Sequence, residues 1–213
     1  MKSVVLWTGG KDCALAMKKA LDLGFDVVEL VTFIPKDPDF KAHPIHVIQK
    51  QAESIGLPHQ LVEVGKPFNK SYELAIQSLI DRGIECLITG DIDLVLGYPN
   101  WIDERCENLK INVFKPLWKQ NRMDILNDLL AFGFDLIFSA VKCDIFDPSW
   151  IGRKINHDAI ADLNLLSCDL CGENGEYHSI VVDCSLFSKP INLKIIEKVK
   201  FRDLYCANFS VLA

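Results

Sequence analysis

Apolar and polar positions follow two periods along the first half of this chain. Runs rich in β-branched residues at Ser3–Thr8 and Val27–Ile34, with two more at His59–Val64 and Glu85–Gly90, have the length and content of strands. Between them the apolar positions fall on one helical face over Lys11–Leu23, Pro44–Ile55 and Asn69–Arg82, which predicts helices. Gly24, Gly56 and Gly83 stand at the end of each helical run, where a left-handed cap is expected. Strand–helix alternation at this spacing predicts βαβ units with right-handed crossovers, hence an α/β fold with a parallel sheet flanked by helices. Such a sheet binds ligands at the carboxyl ends of its strands.

The second half is less regular. Pro99–Leu109, Arg122–Phe132 and Asn156–Leu165 read as helices, and Phe134–Val141, Ile180–Val182 and Ile195–Phe201 as extended segments. A loop rich in Cys, Gly and Glu fills residues 168–176. The expected organisation is a ligand-binding domain over residues 1–115 and a smaller α+β part over residues 116–213. Trp118 is expected as a large buried anchor near that boundary.

Composition narrows the class. Of 213 residues, 49% are apolar and 24% charged, which supports a substantial core. The net charge is −6, with Lys and Arg scattered, which argues against a nucleic-acid surface built on phosphate neutralisation. The N-terminus reads as a strand rather than a leader, and no apolar stretch approaches the roughly 18 residues of a membrane span. The 8 cysteines are spread along the chain, the pattern of reduced thiols, so a cytoplasmic location is expected.

The most informative segment is Thr8-Gly9-Gly10-Lys11-Asp12-Cys13, between the first predicted strand and the first predicted helix. Two glycines let several backbone amides converge on one anion, and the helix start adds free N–H groups and a positive dipole end. Thr8 brings a hydroxyl, Lys11 a charge, and Asp12 a carboxylate able to bind Mg²⁺ beside phosphates. The competing reading is a tight turn with an exposed lysine. The spacing is neither that of a Walker A loop nor that of a Rossmann fingerprint.

The hexapeptide resembles the pyrophosphate loop, Ser-Gly-Gly-x-Asp-Ser, of the N-type ATP pyrophosphatase (PP-loop) superfamily. Thr8 and Cys13 replace its two serines, and Cys13 supplies only a weak S–H donor. The stretches LVTFIP, QAESIGLP, TGDI, ERCENLKINVFKPLW and CGENGEYHSIVVD, in that order, are similar to the diphthine–ammonia ligase family of ATP-binding proteins. The likeness runs from Val4 to about Pro190 and is to the short, single-module form found in bacteria. It implies a Rossmann-like, adenine nucleotide alpha hydrolase-like parallel sheet. It also implies an enzyme that cleaves ATP between the α and β phosphates, adenylates a carboxylate and joins ammonia or an amine to it. ATP and Mg²⁺ are the implied cofactors, and a small-molecule or protein-borne carboxylate the implied partner.

Position by position, the resemblance assigns Thr8, Gly9, Gly10, Lys11, Asp12 and Cys13 to the nucleotide phosphates, with Asp12 on the metal. Thr32 falls where the superfamily holds adenine and ribose, although a strand threonine explains it about as well. Gly90 and Asp91 match Gly-Asp-Ile at the end of the fourth strand. There Gly90 would leave room for a nucleotide, and Asp91 would bind Mg²⁺ or cap the next loop. Glu173, Glu176 and His178 are candidates for receiving ammonia and its proton. Arg153 would pair with a carboxylate or phosphate, or lie on the surface beside a packed Trp150. One of His43 and His46 matches a family histidine. Cys168 and Cys171 have metal-ligand spacing but lack a second pair. The rival functions are an RNA-thiolating PP-loop enzyme and a non-catalytic ATP sensor, and a homodimer is left open.

Overall fold

The structure, a computed structural model, describes residues 1–36 and 40–212. The strands are β1 (Lys2–Leu6), β2 (Asp26–Ile34), β3 (His59–Glu63), β4 (Cys86–Ile88), β5 (Asn112–Phe114), β6 (Asp135–Lys142), β7 (Tyr177–Asp183), β8 (Leu193–Phe201) and β9 (Leu204–Val211). The helices are α1 (Lys11–Asp22), α2 (Ile45–Ile55), α3 (Phe68–Asp81), α4 (Trp101–Cys106), α5 (Arg122–Ala131) and α6 (His157–Leu163). They form two compact units. The first comprises Met1–Thr8, Asp12–Pro38 and Leu57–Lys119, and the second Gly9–Lys11, Asp39–Gly56 and Gln120–Ala213.

The first unit holds a five-stranded sheet in the order β3-β2-β1-β4-β5, parallel at every pairing. On one face of the sheet Val4, Val31 and Leu87 pack with Ile76 and Leu79 of α3 and Ile102 and Cys106 of α4. α1 is buried over its first turns, where Ala14, Leu15, Ala16, Met17 and Ala20 are all covered, and its charged Lys18, Lys19 and Asp22 gather toward the end that meets solvent. Gly24 and Gly83 take positive φ as the sequence predicts. α4 is shorter than expected, because Asn100 caps it by accepting from the Asp103 amide at 3.2 Å.

The second unit holds an antiparallel sheet in the order β7-β6-β9-β8. Phe138, Phe146, Trp150 and Tyr177 interlock edge to face in its core, with centroid separations of 5.0–5.2 Å between Phe138 or Phe146 and their nearest partners. α2 belongs to this unit and ends at Gly56 with φ 81°. Its buried face carries Val47, Ile48 and Ala52, and also the polar Gln51 and Ser54.

The expectation for Trp118 does not hold. Leu117 is the buried residue, while Trp118 is half-buried, with the ammonium groups of Lys115 and Lys119 over its ring at 4.0 and 5.6 Å. Each such contact at a partly exposed ring is worth about 0.5–1 kcal/mol.

Candidate functional site

β1 gives way to the glycine segment at Thr8, which is exposed and donates its hydroxyl to the buried Cys13 sulfur at 3.6 Å. Cys13 is thereby turned to protein. Gly9 has φ 77°, and an added Cβ would lie 2.2 Å from Gln51 Oε1. The Gly9 carbonyl accepts from the Val181 amide at 3.1 Å and from Gln51 Nε2 at 2.9 Å. Gly9 and Gly10 are both buried.

Lys11 opens α1 and is buried, only 3% exposed, contrary to the exposed lysine of a plain turn. Its amide donates to Ser179 Oγ at 3.2 Å, and its ammonium donates to the Cys171 carbonyl at 2.5 Å and lies 5.1 Å from the Tyr177 ring centre. Burying a cation costs several kcal/mol unless polar groups replace water, and carbonyl and ring supply part of that. Asp12 follows, half-buried, with Oδ1 fully covered. Among the described residues no group of three or more His, Cys, Asp or Glu could hold a metal. A Mg²⁺ bound together with a polyphosphate needs only one or two protein carboxylates, a demand the single carboxylate of Asp12 would be able to meet.

Gly90 packs against the start of α1. A Cβ there would lie 2.4 Å from the Asp12 carbonyl carbon and 2.6 Å from the Cys13 amide nitrogen. The missing side chain makes room for the first turn of α1. Asp91 accepts from Asn100 Nδ2 at 2.9 Å, and Asn100 caps α4, so Asp91 orders the loop after β4. Thr32 is buried, donates its single hydroxyl proton to the Trp7 carbonyl at 2.5 Å and meets His59 Nε2 at 2.8 Å. With that proton committed, Thr32 can only accept from His59, which fixes the imidazole proton on Nε2. Burial holds His59 below the usual histidine range, against the pull of Glu29.

The 168–179 segment of the second unit is built around two carboxylates. Glu176 is buried and accepts from the amides of Asp169 at 3.1 Å and Asn174 at 2.9 Å, and from Asn174 Nδ2 at 3.3 Å. Asp169 Oδ1 accepts from the amides of Cys171 and Glu173 at 2.8 and 3.4 Å, while Oδ2 is bound by Arg122 Nε at 2.9 Å. Glu176 therefore stiffens the loop, and Glu173 is half-buried on it. His178 Nδ1 lies 3.3 Å from His43 Nε2, the rings edge to face. Desolvation, with Lys11 and Lys142 adding to it, pushes His178 down to about 4, so the ring is neutral near pH 7. The two histidines that sequence could not separate have different neighbours, because His46 Nε2 faces the Phe209 carbonyl at 3.1 Å.

Arg153 stacks over Trp150 at 4.6 Å and pairs with Asp162 at 2.5 Å, the surface alternative of the sequence reading. Cys168 and Cys171 are free thiols, and burial with Glu176 and Asp169 nearby pushes Cys168 up to about 11. A thiolate is thus disfavoured at Cys168.

The structure distributes the candidates over both units. Thr8, Asp12, Cys13, Thr32, Gly90 and Asp91 belong to the first, and Gly9, Gly10, Lys11, Glu173, Glu176 and His178 to the second. Within the second, Lys11 meets the segment that carries Glu176 and His178. Gln51 and Asp169 were missed. A glutamine on an apolar helix face and an aspartate before Cys-Gly were the available signals.

The sequence matches a known family in both halves. The model for the diphthamide synthase N-terminal domain covers residues 1–113, and that for its C-terminal domain covers residues 121–208. The chain belongs to the diphthamide synthase family. A diphthine–ammonia ligase of Schizosaccharomyces pombe is 27% identical over 94% of this chain, which spans 37% of that relative's length. One of Rattus norvegicus is 25% identical over 93% of the chain and 85% of the relative. A crystal structure of a "predicted subunit of tRNA methyltransferase" from Methanocaldococcus jannaschii matches with TM-score 0.49 and 16% identity, over 87% of this chain and 98% of that one. Among the described residues no helix of this family member is long and apolar enough to cross a membrane.

Proposed function

We propose that this chain is an ATP-dependent ligase that adenylates a carboxylate, releasing pyrophosphate, and then joins ammonia to it. The acceptor named by its relatives, diphthine, is the first candidate. The observation that carries this reading is the glycine segment at the end of β1, running into α1 through a buried lysine. A carboxylate oxygen attacks the α-phosphorus, the bond to the β-phosphate oxygen breaks, and pyrophosphate leaves. The nitrogen lone pair then attacks the acyl carbon, AMP leaves, and one proton is lost to a base. The backbone amides at the helix start and the Lys11 charge favour the negative charge of the phosphates. Asp12 would hold Mg²⁺, which screens that charge.

In this reading the three ammonia candidates take different roles. Glu176 already accepts from backbone and side-chain N–H groups and serves as a brace. Glu173, half-buried on the same loop, is the carboxylate proposed to accept hydrogen bonds from the incoming ammonia. A histidine pushed to about 4 is too weak a base to strip ammonium, so nitrogen attacks as free ammonia drawn from its equilibrium with ammonium in solution, and His178 takes its proton later, from the more acidic adduct formed after attack. The disfavoured thiolate at Cys168 argues against the thiolating rival. The test is AMP formation from MgATP with ammonium and a panel of carboxylates that includes diphthine. The Asp12→Ala protein should fold and lose at least tenfold of that turnover, and unchanged turnover would refute the assignment.

A further inference from the structure

The Gly9–Gly10 peptide has no side chain on either side to set its plane, so it would turn over at little cost if left alone. In this structure its carbonyl is held twice, by the Val181 amide and by Gln51 Nε2. Gln51 spends its second amide proton on the Val181 carbonyl at 2.8 Å, so one carboxamide ties α2 both to the glycine segment and to β7. Because a trans peptide is planar, fixing the Gly9 oxygen on one side fixes the Gly10 N–H on the other.

Gln51 is 0% exposed, on a helix face otherwise made of Val47, Ile48 and Ala52. An apolar side chain would fill that position without the cost of burying an amide. The fit is also mutual, since an alanine at Gly9 would strike Gln51 Oε1 at 2.2 Å. We infer that Gln51 is a positioning residue for polyphosphate recognition, holding the Gly9–Gly10 peptide in the orientation that presents its nitrogen side to the anion. This rests on the ATP reading above and goes beyond it, because the family likeness includes Gln51 in the stretch QAESIGLP without giving it a role.

The test compares MgATP with AMP, which lacks the phosphates this peptide would meet. By calorimetric titration, Gln51→Met should weaken MgATP binding at least tenfold and leave AMP binding within about twofold. A folded variant that binds both as the unaltered protein does, or loses both in proportion, overturns the inference. In the unaltered protein labelled with ¹⁵N-glycine, the Gly10 amide resonance should move with MgATP and not with AMP. An unmoved Gly10 resonance in ATP-saturated protein also overturns it, and this readout needs no variant to fold. Failure of the unaltered protein to bind MgATP at all is a different result, one that removes the ATP reading and this inference with it.

Discussion

Lys11 and Cys171 lie 160 positions apart in sequence, and the ammonium of the first donates to the carbonyl of the second at 2.5 Å. A lysine kept at 3% exposure has given up its hydration shell, which a protein retains for function more readily than for stability. Lys11→Met keeps the length and removes the charge. Relief from burying a charge offsets part of the loss of the Cys171 carbonyl's donor, so the folded protein should lose no more than about 1–3 kcal/mol, while AMP formation falls roughly a hundredfold or more. Urea denaturation and AMP assays check the two halves. Equal loss of both would make Lys11 a structural residue.

Glu176 gathers three N–H donors onto one carboxylate. In Glu176→Gln one of those donors faces an NH₂ group, so a buried donor goes unsatisfied. The expected cost is about 1–3 kcal/mol in a urea melt. An unchanged midpoint would mean that the carboxylate does not brace the loop and would return Glu176 to the list of reacting groups.

His178 sets a pH dependence of known sign. Its folded value of about 4 lies below the ordinary 6.5, so between those values the unfolded chain binds the extra proton. Stability should be unaffected by this group above pH 6.5 and should fall on acidification through the window from 6.5 to about 4, approaching roughly 1.4 kcal/mol per pH unit in its interior. Buried His59 contributes with the same sign. The informative quantity is therefore the difference between the unaltered protein and His178→Gln, which should be less sensitive to acid. Parallel curves would place His178 in water.

The parallel sheet was legible because buried strands and amphipathic helices have different periods, and because Gly24, Gly56 and Gly83 cap as expected. β9 was not, since its hairpin with β8 turns through Arg202 at φ 56° without the glycine or asparagine that would announce it. The glycine motif pointed to the end of β1, but not to what each of its residues touches. Gly90 accommodates the backbone of Asp12 and Cys13, and Thr32 spends its proton on Trp7, both set by long-range packing that spacing does not encode. Gln51 went unread for the opposite reason. Its signal, one polar residue on an apolar helix face, also describes an ordinary core glutamine.

Central to the account is cleavage of ATP between its α and β phosphates at the expense of a carboxylate. ³¹P NMR of the protein mixed with MgATP, ammonium and diphthine-bearing elongation factor 2 reads the products directly. The account predicts AMP and pyrophosphate in equal amounts, growing only when the acceptor is present. ADP with inorganic phosphate, or intact ATP throughout, would contradict it.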